Sequence, residues 1–555
     1  MSEFLQELGY SVTSYRLLAA GTFLLWFASA ITVGNPKGNI FARLNRPWMY
    51  CATLLLAMFA WRWPAIFHYK PVNPDEAQFL AGALTMLARG QLWWIDPTTS
   101  GPLVVLPLTL PGLIGFPVDF ASGRIIGLLL EWGTVICGYL ALRHVHGDQR
   151  GRLLIAPLAC FMIFLWFWDF VPYCSELSPL FLCALAAWLG ITAFQSDGAV
   201  LRRGRLLACG VVLGTIPFSK LQVLPLGAAI GIGIVVWILW PPVRDGQKTG
   251  RSLLWLFGGV VLGSGALLVS LWCSGQWNEV YQSYVVHNLH YAEARGLPWS
   301  DSGYLLNYLT NFSWGFSFFH YGALLLLVLG LPALRRASWR PLLLGVALLL
   351  AAYGAVLIPG RLYPHYLLFL TLPLSLLVGL LWGYLFAGQT RRYCATVIAL
   401  FIAVGVVSQL VERVADRNSL HRLIAPANPR DPVDRFINRN KKPGDSLAVW
   451  GWRPEFYVET QLPQATHEAH TEAQLNNHPQ RDYFRARFVA DLREIRPAFF
   501  IDSIGPDDFQ LKDPSLQGHE TFPELRNLIT RDYTEIKTAG SFHLYLRRDR
   551  VVSEN

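Results

Sequence analysis

The stretch YLLFLTLPLSLLVGLLWGYLF, residues 366–386, contains no charged side chain. A helix needs about 20 consecutive apolar residues to cross the hydrocarbon core of a bilayer, and this stretch is long enough. Similar apolar runs occur on both sides of it along the chain. They lie near 16–33, 47–66, 123–142, 153–170, 177–194, 206–218, 222–240, 253–272, 316–334, 341–358 and 393–411. The sequence therefore predicts a polytopic α-helical membrane protein of about 12 spans.

Composition and charge agree with a membrane protein. Only 15% of the 555 residues are charged and 53% are hydrophobic, whereas about a quarter of the residues of an ordinary soluble domain are charged. The net charge of +9 belongs to residues 1–411, which contain 25 Lys and Arg against 15 Asp and Glu, while residues 412–555 contain 21 against 22. The excess basic residues lie in short loops between apolar runs, which argues against nucleic-acid binding. All eight cysteines lie in or beside apolar runs, so no disulfide framework is predicted.

The distribution of basic residues predicts the orientation of the chain in the membrane. Lys and Arg cluster in alternate connections, and the positive-inside rule places those connections in the cytoplasm. The long connections 67–122 and 273–315 then lie outside the cytoplasm, together with both termini and the tail. The apolar run 101–117 would invert this pattern if it crossed the membrane, and it contains four prolines. We therefore predict that it is a re-entrant or interfacial segment rather than a straight span.

The tail alternates strand-like and helix-like patterns. Strands are predicted at 446–452, 497–504 and 541–548, and an amphipathic helix at 482–495. We therefore expect a soluble extracytoplasmic α/β domain at 412–555, after a transmembrane domain at 1–411 whose outer loop is 67–122. The chain contains no P-loop or dinucleotide-binding fingerprint, so nucleotide-linked donors are not supported.

The first outer loop contains PVNPDEAQFLAGALTMLARG at 71–90. Apolar residues at helical spacing follow Asp75, and Gly90 ends the pattern, which predicts a short helix on the membrane with Asp75 as its N-cap. An Asp followed by Glu is ordinary chemistry at a helix start. The functional alternative is that Asp75 and Glu76 act as carboxylates just outside the bilayer, with Asp96 following in WWIDPTTSGPL.

These motifs resemble the GT-C superfamily of polyprenyl-phosphate-sugar glycosyltransferases, and within it the protein O-mannosyltransferases and the aminoarabinose lipid A transferases. The resemblance covers most of the membrane part, and its most specific element is the Asp-Glu pair. The other motifs are ARGQLWWIDPTTSGPL in the same loop, YCSELSPL at 173–180, IPFSKLQVLPL at 216–226 and GRLYPHYLLFLTLP at 360–373. The resemblance implies a hexosyl- or pentosyltransferase of a cell inner membrane, with its active site and tail outside the cytoplasm.

The resemblance implies that Asp75 is a general base, and the chemistry of the reaction agrees. An acceptor hydroxyl that attacks an anomeric carbon must lose a proton, whereas a lipid phosphate leaves without an acid. A base opposite the leaving group would invert the anomeric configuration, by analogy with inverting glycosidases. Glu76 is expected to orient Asp75 or a bound metal.

The leaving phosphate needs positive charge, either from basic side chains or from a divalent cation such as Mg²⁺ or Mn²⁺. The predicted substrate and lipid-phosphate-binding residues are Lys220, Arg361, His365, Tyr366, Asp96 and Glu176. Arg124 is a weaker candidate. For Lys220 the alternative is a lysine that reaches the membrane interface, and for Glu176 it is a structural ion pair with Lys220 or Arg361.

Two other interpretations stay open at this point. A glycolipid transporter or flippase would also place charges inside a helical bundle, although the duplicated halves common in transporters are not evident here. His287 and His290 would need a third ligand to bind a metal. The expected partners are a polyprenyl-phosphate-linked sugar, membrane lipid, and a glycan, lipid or protein acceptor.

Overall fold

The computed structural model describes most of the chain, in two compact units that are each built from separate stretches. The helical unit comprises residues 1–67, 125–270 and 295–425, and the sheet unit comprises 68–124, 271–294 and 426–555. The described residues are 12–31, 46–93, 100–193, 199–240, 246–293, 307–310, 312–361, 363–386, 390–415, 432–539 and 542–551.

Every predicted apolar run corresponds to a helix among the described residues. The helices are Val12–Ile31, Pro47–Ile66, Phe120–His146, Asp148–Phe164, Leu177–Ala193, Ala199–Thr215, Leu224–Leu239, Gly246–Ser274, Trp314–Gly330, Trp339–Leu357, Leu368–Trp382 and Thr390–Ala415. Within the described part of the chain, 8 helices are long and apolar enough to cross a membrane. The prediction of a polytopic helical membrane protein is confirmed.

The uncharged stretch around residues 366–386 forms the centre of the helical unit. All residues of Leu368–Trp382 are buried, and the helix packs against Asp148–Phe164, Trp314–Gly330 and Trp339–Leu357. A Cβ atom on Gly379 would lie 2.6 Å from Leu142, so a small residue is needed for this close helix packing. The 3₁₀ turn Pro364–Leu367 leads directly into this helix, and the packed helix therefore fixes the turn in place.

A buried ion pair joins two other helices of the helical unit. Arg62 on Pro47–Ile66 donates to Glu131 on Phe120–His146, and both side chains are at most 2% exposed. Arg62 also donates from Nη2 to the carbonyl oxygen of Met162 at 2.6 Å. A charge inside an apolar bundle is costly unless it is paired, so this pair holds the helices in a fixed relation.

One predicted span ends earlier than the hydropathy indicates. The run near 153–170 is helical only to Phe164, and Leu165, with φ of −52° and ψ of 122°, is not helical. The connection to Leu177–Ala193 is therefore the longer segment 165–176 rather than 171–176, and it contains Asp169 and Glu176. The cause of the discrepancy is that aromatic residues raise the hydropathy of this connection although its backbone forms turns.

The proline-rich run 101–117 is not one straight helix. It forms the short pieces Pro102–Val105, Leu106–Thr109 and Leu110–Leu113, of which the second is 3₁₀. Proline lacks a backbone N–H and clashes with the preceding turn, which explains the interruptions. Its re-entrant or interfacial position stays a prediction.

The sheet unit contains the first-loop helix Pro74–Arg89 and a four-stranded sheet, so the predicted C-terminal α/β domain is confirmed. Its other helices are Trp277–Val280, His287–Glu293, Pro432–Asn440, Glu455–Thr460, Glu472–Leu475, Arg481–Ile495, Pro514–Gln517 and Pro523–Asp532, with a π-helical turn at Tyr281–Val286. The strands are β1 Leu447–Trp450, β2 Phe499–Asp502, β3 Tyr533–Ala539 and β4 Phe542–Arg547.

The sheet has the order β1-β2-β4-β3. Strands β1 and β2 are parallel, whereas β4 runs antiparallel to both β2 and β3. All residues of β1 and β2 are buried, which is typical of parallel strands covered on both faces. The three predicted strands match β1, β2 and β4, and β3 is an edge strand that the sequence did not reveal.

Candidate active site

The first-loop helix begins two residues earlier than the sequence predicts. Its N-cap is Asn73, whose side chain accepts a hydrogen bond from the backbone N–H of Asp75 at 2.9 Å, and Pro74 is the first helical residue. The prediction that Asp75 is the N-cap is therefore wrong. Proline at the first helical position and asparagine at the cap are both favoured. Gly90 ends the helix in the left-handed conformation, with φ of 64°.

Asp75 thus lies in the first turn of this helix without being needed as its cap. Its side chain is half-buried. The positive end of the helix dipole lies at this first turn, which favours a negatively charged side chain there. This environment suits a base that must remain ionised at neutral pH.

Glu76 has a different environment from its neighbour. Its two carboxylate oxygens accept hydrogen bonds from Nε and Nη2 of Arg124, each at 2.7 Å, and both side chains are fully buried. Arg124 also donates to the carbonyl oxygens of His68 and Lys70. This two-pronged ion pair ties the start of the first-loop helix to Arg124, which lies directly after the end of the same loop. Glu76 and Arg124 therefore stabilise the loop that carries Asp75.

The geometry does not favour a metal at the Asp-Glu pair. Both oxygens of Glu76 already bind Arg124. Throughout the part of the chain that the structure describes, no group of three His, Cys, Asp or Glu side chains has the arrangement of a metal site.

The helical unit contains a buried polar group that we call the lysine cluster: Asp169, Ser175, Glu176, Lys220, His365 and Tyr366. Lys220 lies between the 3₁₀ turns Ile216–Phe218 and Leu221–Val223 and is only 1% exposed. Its Nζ donates to Ser175 Oγ at 2.7 Å and to Glu176 Oε1, and it lies 4.7 Å from the ring centroid of Tyr366. Lys220 is thus an internal cation rather than a lysine that reaches the membrane interface.

His365 forms the other side of the lysine cluster. Asp169 Oδ2 accepts from the backbone N–H of His365 at 2.9 Å and lies 2.9 Å from its Nδ1. The Nε2 atom of His365 is 4.0 Å from Glu176 Oε2, and its ring stacks on Tyr363 with a centroid distance of 5.5 Å. Two carboxylates and two basic side chains therefore alternate along one buried chain of contacts.

The sequence identified some members of this cluster and missed others. It proposed Lys220 as a partner of Glu176, and the structure places the two in contact. Asp169 is absent from the predicted site residues, although an acidic residue inside an aromatic run is itself a signal for a buried polar contact. Arg361 is half-buried between Trp339–Leu357 and the turn at 364–367. Asp96 lies outside the described residues.

Comparison with known proteins places this geometry in a fold class. No protein-family profile matches the sequence, and no curated protein is similar to it at the sequence level. Among solved structures, ArnT from Cupriavidus metallidurans bound to undecaprenyl phosphate superposes with a TM-score of 0.55 at 14% identity, over 92% of this chain and 99% of that chain. The chain has a GT-C fold. The apo structure of ArnT gives a TM-score of 0.54 at 12% identity, over 91% of this chain and 98% of that chain.

The match covers 92% of this chain and so includes parts of both the helical unit and the sheet unit. A more distant match is the oligosaccharyltransferase of Archaeoglobus fulgidus in the apo form, with a TM-score of 0.49 at 10% identity, over 81% of this chain and 69% of that chain. The resemblance inferred from short motifs is confirmed at the level of the fold.

Proposed function

We propose that this GT-C protein transfers a sugar from a polyprenyl-phosphate carrier to an acceptor outside the cytoplasm. The observation that carries the proposal is the buried Lys220, held among polar side chains inside the mainly apolar helical unit. Ionisable groups at membrane depth are costly and commonly mark a binding or transport site. The similarity to ArnT, solved with undecaprenyl phosphate, supports a lipid phosphate as the ligand.

Lys220 supplies the positive charge on which the lipid phosphate binds. As the bond to the sugar breaks, negative charge grows on that phosphate, and a preorganised cation in a dry site stabilises it more strongly than water would. His365 and Tyr366 line the same cluster, and Arg361 and Asp96 are further substrate contacts in this proposal. Glu176 holds Lys220 in place before the donor arrives.

Asp75 is the general base of the proposed reaction. The acceptor hydroxyl gives its proton to the Asp75 carboxylate while its oxygen bonds to the anomeric carbon, and the lipid phosphate leaves with the electrons of the broken bond. A single displacement of this kind inverts the anomeric configuration. Glu76 does not act on the substrate directly, because Arg124 occupies its carboxylate; it positions the turn that carries Asp75.

The proposed location follows from the charge pattern together with the fold. The chain is a multi-pass membrane protein, and the alternation of basic loops supports an extracytoplasmic position for the first outer loop and the sheet unit. A bacterial inner membrane is the proposed setting. The acceptor is a glycan, a lipid or a protein that is accessible from that side.

The test uses the full-length chain purified in detergent and a panel of undecaprenyl-phosphate-linked hexoses and pentoses. Wild-type protein is expected to release undecaprenyl phosphate from one of them in the presence of a membrane extract as acceptor source. Asp75→Asn should lower that rate by about 10²-fold to 10⁴-fold, because the base is lost.

Asp119→Asn is the matched control for this experiment. Asp119 is also a half-buried aspartate at a helix start in the same loop, where its Oδ1 accepts from the N–H of Ser122 at 2.8 Å. Asparagine can accept the same bond, so this variant should keep full activity. Carrier translocation by both wild type and Asp75→Asn in vesicles, with sugar transfer by neither, would instead support a glycolipid flippase.

A further inference from the structure

Lys220 is already neutralised in the lysine cluster before any ligand binds. Its Nζ contacts Glu176 and Ser175, and the carboxylate of Glu176 is fully buried. A lipid phosphate that binds Lys220 must therefore compete with Glu176. Displacement would leave a buried carboxylate without a cationic partner, which is strongly unfavourable.

A second basic side chain lies next to the same carboxylate. His365 Nε2 is 4.0 Å from Glu176 Oε2, the oxygen that does not contact Lys220. At 4.0 Å the two atoms are too far apart for a good hydrogen bond, but a small movement of Glu176 would close the gap. His365 is thus positioned as a replacement partner for Glu176.

Asp169 holds the ring of His365 in this orientation. One carboxylate oxygen, Oδ2, is 2.9 Å from both the backbone nitrogen and Nδ1 of His365, and stacking on Tyr363 restricts the ring further. When Nδ1 donates to Asp169, Nε2 points at Glu176. An imidazole can donate to both carboxylates only as the imidazolium, which a second carboxylate beside it stabilises.

We propose that Asp169 is a positioning residue for a partner exchange: when a lipid phosphate binds Lys220, Glu176 moves to His365, whose ring Asp169 holds. This inference rests on the proposed function, because it assumes that Lys220 receives the phosphate. It adds a role for Asp169 and a reason for His365 to lie beside Glu176. No covalent bond forms or breaks in the exchange.

A purely structural role for Asp169 makes a different prediction. If Asp169 only accepts the N–H at the start of the Pro364–Leu367 turn, asparagine at this position accepts the same bond and nothing changes. If its charge is needed to hold an imidazolium, Asp169→Asn weakens phosphate binding although the turn is intact. The two roles are separable by one isosteric substitution.

The test measures binding of undecaprenyl phosphate to the full-length protein in detergent. Asp169→Asn and His365→Gln should each weaken binding about tenfold or more, because Glu176 then lacks a cationic partner in the bound state. Combining the two substitutions should cost little beyond either one alone, since both remove the same interaction. Asp148→Asn is the control and should leave the binding of undecaprenyl phosphate unchanged. Asp148 pairs with Arg152 at 2.6 Å and lies at the N-terminal end of the helix Asp148–Phe164, whereas Asp169 follows its C-terminal end.

Glu176→Gln provides the decisive readout. This substitution removes the charge that needs a new partner. The double variant Asp169→Asn, Glu176→Gln should therefore recover most of the affinity for undecaprenyl phosphate that Asp169→Asn alone loses. A general packing defect at Asp169 would not be rescued in this way. Normal binding by Asp169→Asn, or no rescue by Glu176→Gln, overturns the partner exchange. Normal binding by Lys220→Met overturns the proposed function instead, so the two failures are distinguishable.

Discussion

Asp75 and Glu76 are adjacent in sequence and yet have separate roles. Glu76 is fully buried against Arg124, whereas Asp75 is half-buried and is not the helix cap. The ion pair explains why the acidic residue at 76 is needed for structure. The proposed base is therefore the neighbouring residue, Asp75, which is not the helix cap.

Substitutions at these two positions should therefore affect different properties. Glu76→Ala leaves the guanidinium of Arg124 buried without its carboxylate, and we expect a loss of about 3–5 kcal/mol in the free energy of unfolding. Asp75→Asn should change stability by at most about 0.5 kcal/mol while it abolishes most activity. Thermal unfolding in detergent and the release of undecaprenyl phosphate measure the two effects.

Equal destabilisation by Glu76→Ala and Asp75→Asn would show that Asp75 has a structural role as well. Glu76→Gln is the matched variant, since it keeps the shape of the side chain and removes only its charge. It should fall between wild type and Glu76→Ala in stability, because the amide oxygen still accepts one bond from Arg124.

At the scale of elements, the helix Arg481–Ile495 connects stretches of the sheet unit that are distant in sequence. Arg487 on this helix is buried and donates to Glu468 at 2.9 Å and to Glu279 at 2.8 Å. It also donates to Ser283, within the π-helical turn Tyr281–Val286. Burial alone would lower the pKa of Arg487, but the two carboxylates raise it above its usual value, so this guanidinium stays charged.

Removing this guanidinium should loosen both of the segments it joins. Arg487→Met leaves Glu468 fully buried without a cation, and we expect destabilisation of about 3–5 kcal/mol. Hydrogen exchange should rise in peptides covering 277–286 and 464–472. The control is Arg485→Met on the same helix, because Arg485 is half-buried and donates only to the carbonyl oxygen of Gln474 among the contacts described. Unchanged exchange at 277–286 in Arg487→Met would contradict the coupling.

The elements show what the sequence could and could not predict. The helices at the apolar runs could be predicted because hydropathy is a local property of each stretch of sequence. Strand β3 was missed because YTEIKTA is mostly polar and lies at the sheet edge, where burial imposes little pattern. The early end of the helix at Phe164 was missed because the connection that follows it is rich in aromatic residues, and its hydropathy is as high as that of a membrane span.

Pairings over long sequence separations were the least predictable part of the site. Arg124 and Glu76 are 48 positions apart, and Asp169 and His365 are 196 apart. Nothing local in either stretch specifies its partner. Lys220 and Glu176 could be proposed as partners because both were expected near the outer ends of the helices and an unpaired charge at the position of Glu176 would be costly. The roles of Asp75, Arg361 and Asp96 stay predictions.

At the scale of the whole molecule, the sheet unit is assembled from three stretches that belong to different parts of the chain. His470 is one of the residues that join them. It stacks on Trp452 with a centroid distance of 4.1 Å and an angle of 6°, and its Nε2 lies 2.9 Å from Oε1 of Gln78 on the first-loop helix. Burial lowers the pKa of His470 from 6.5 to about 3, and the charge of His287 acts in the same direction.

Acidification should therefore loosen the stretches of the sheet unit together. Between the unfolded pKa of 6.5 and the folded pKa of about 3, the unfolded chain binds more protons at this site, so stability falls as the pH falls. From pH 7 to pH 5 this histidine alone should cost roughly 2 kcal/mol. Hydrogen exchange, corrected for the intrinsic effect of pH, should rise in parallel in the first-loop helix and in β1 and β2.

His470→Phe keeps a ring against Trp452 and should flatten the dependence of stability on pH. The control His543→Gln, at a partly exposed histidine, should leave that dependence unchanged. Exchange that rises in the strands and not in the first-loop helix would show that the stretches unfold independently.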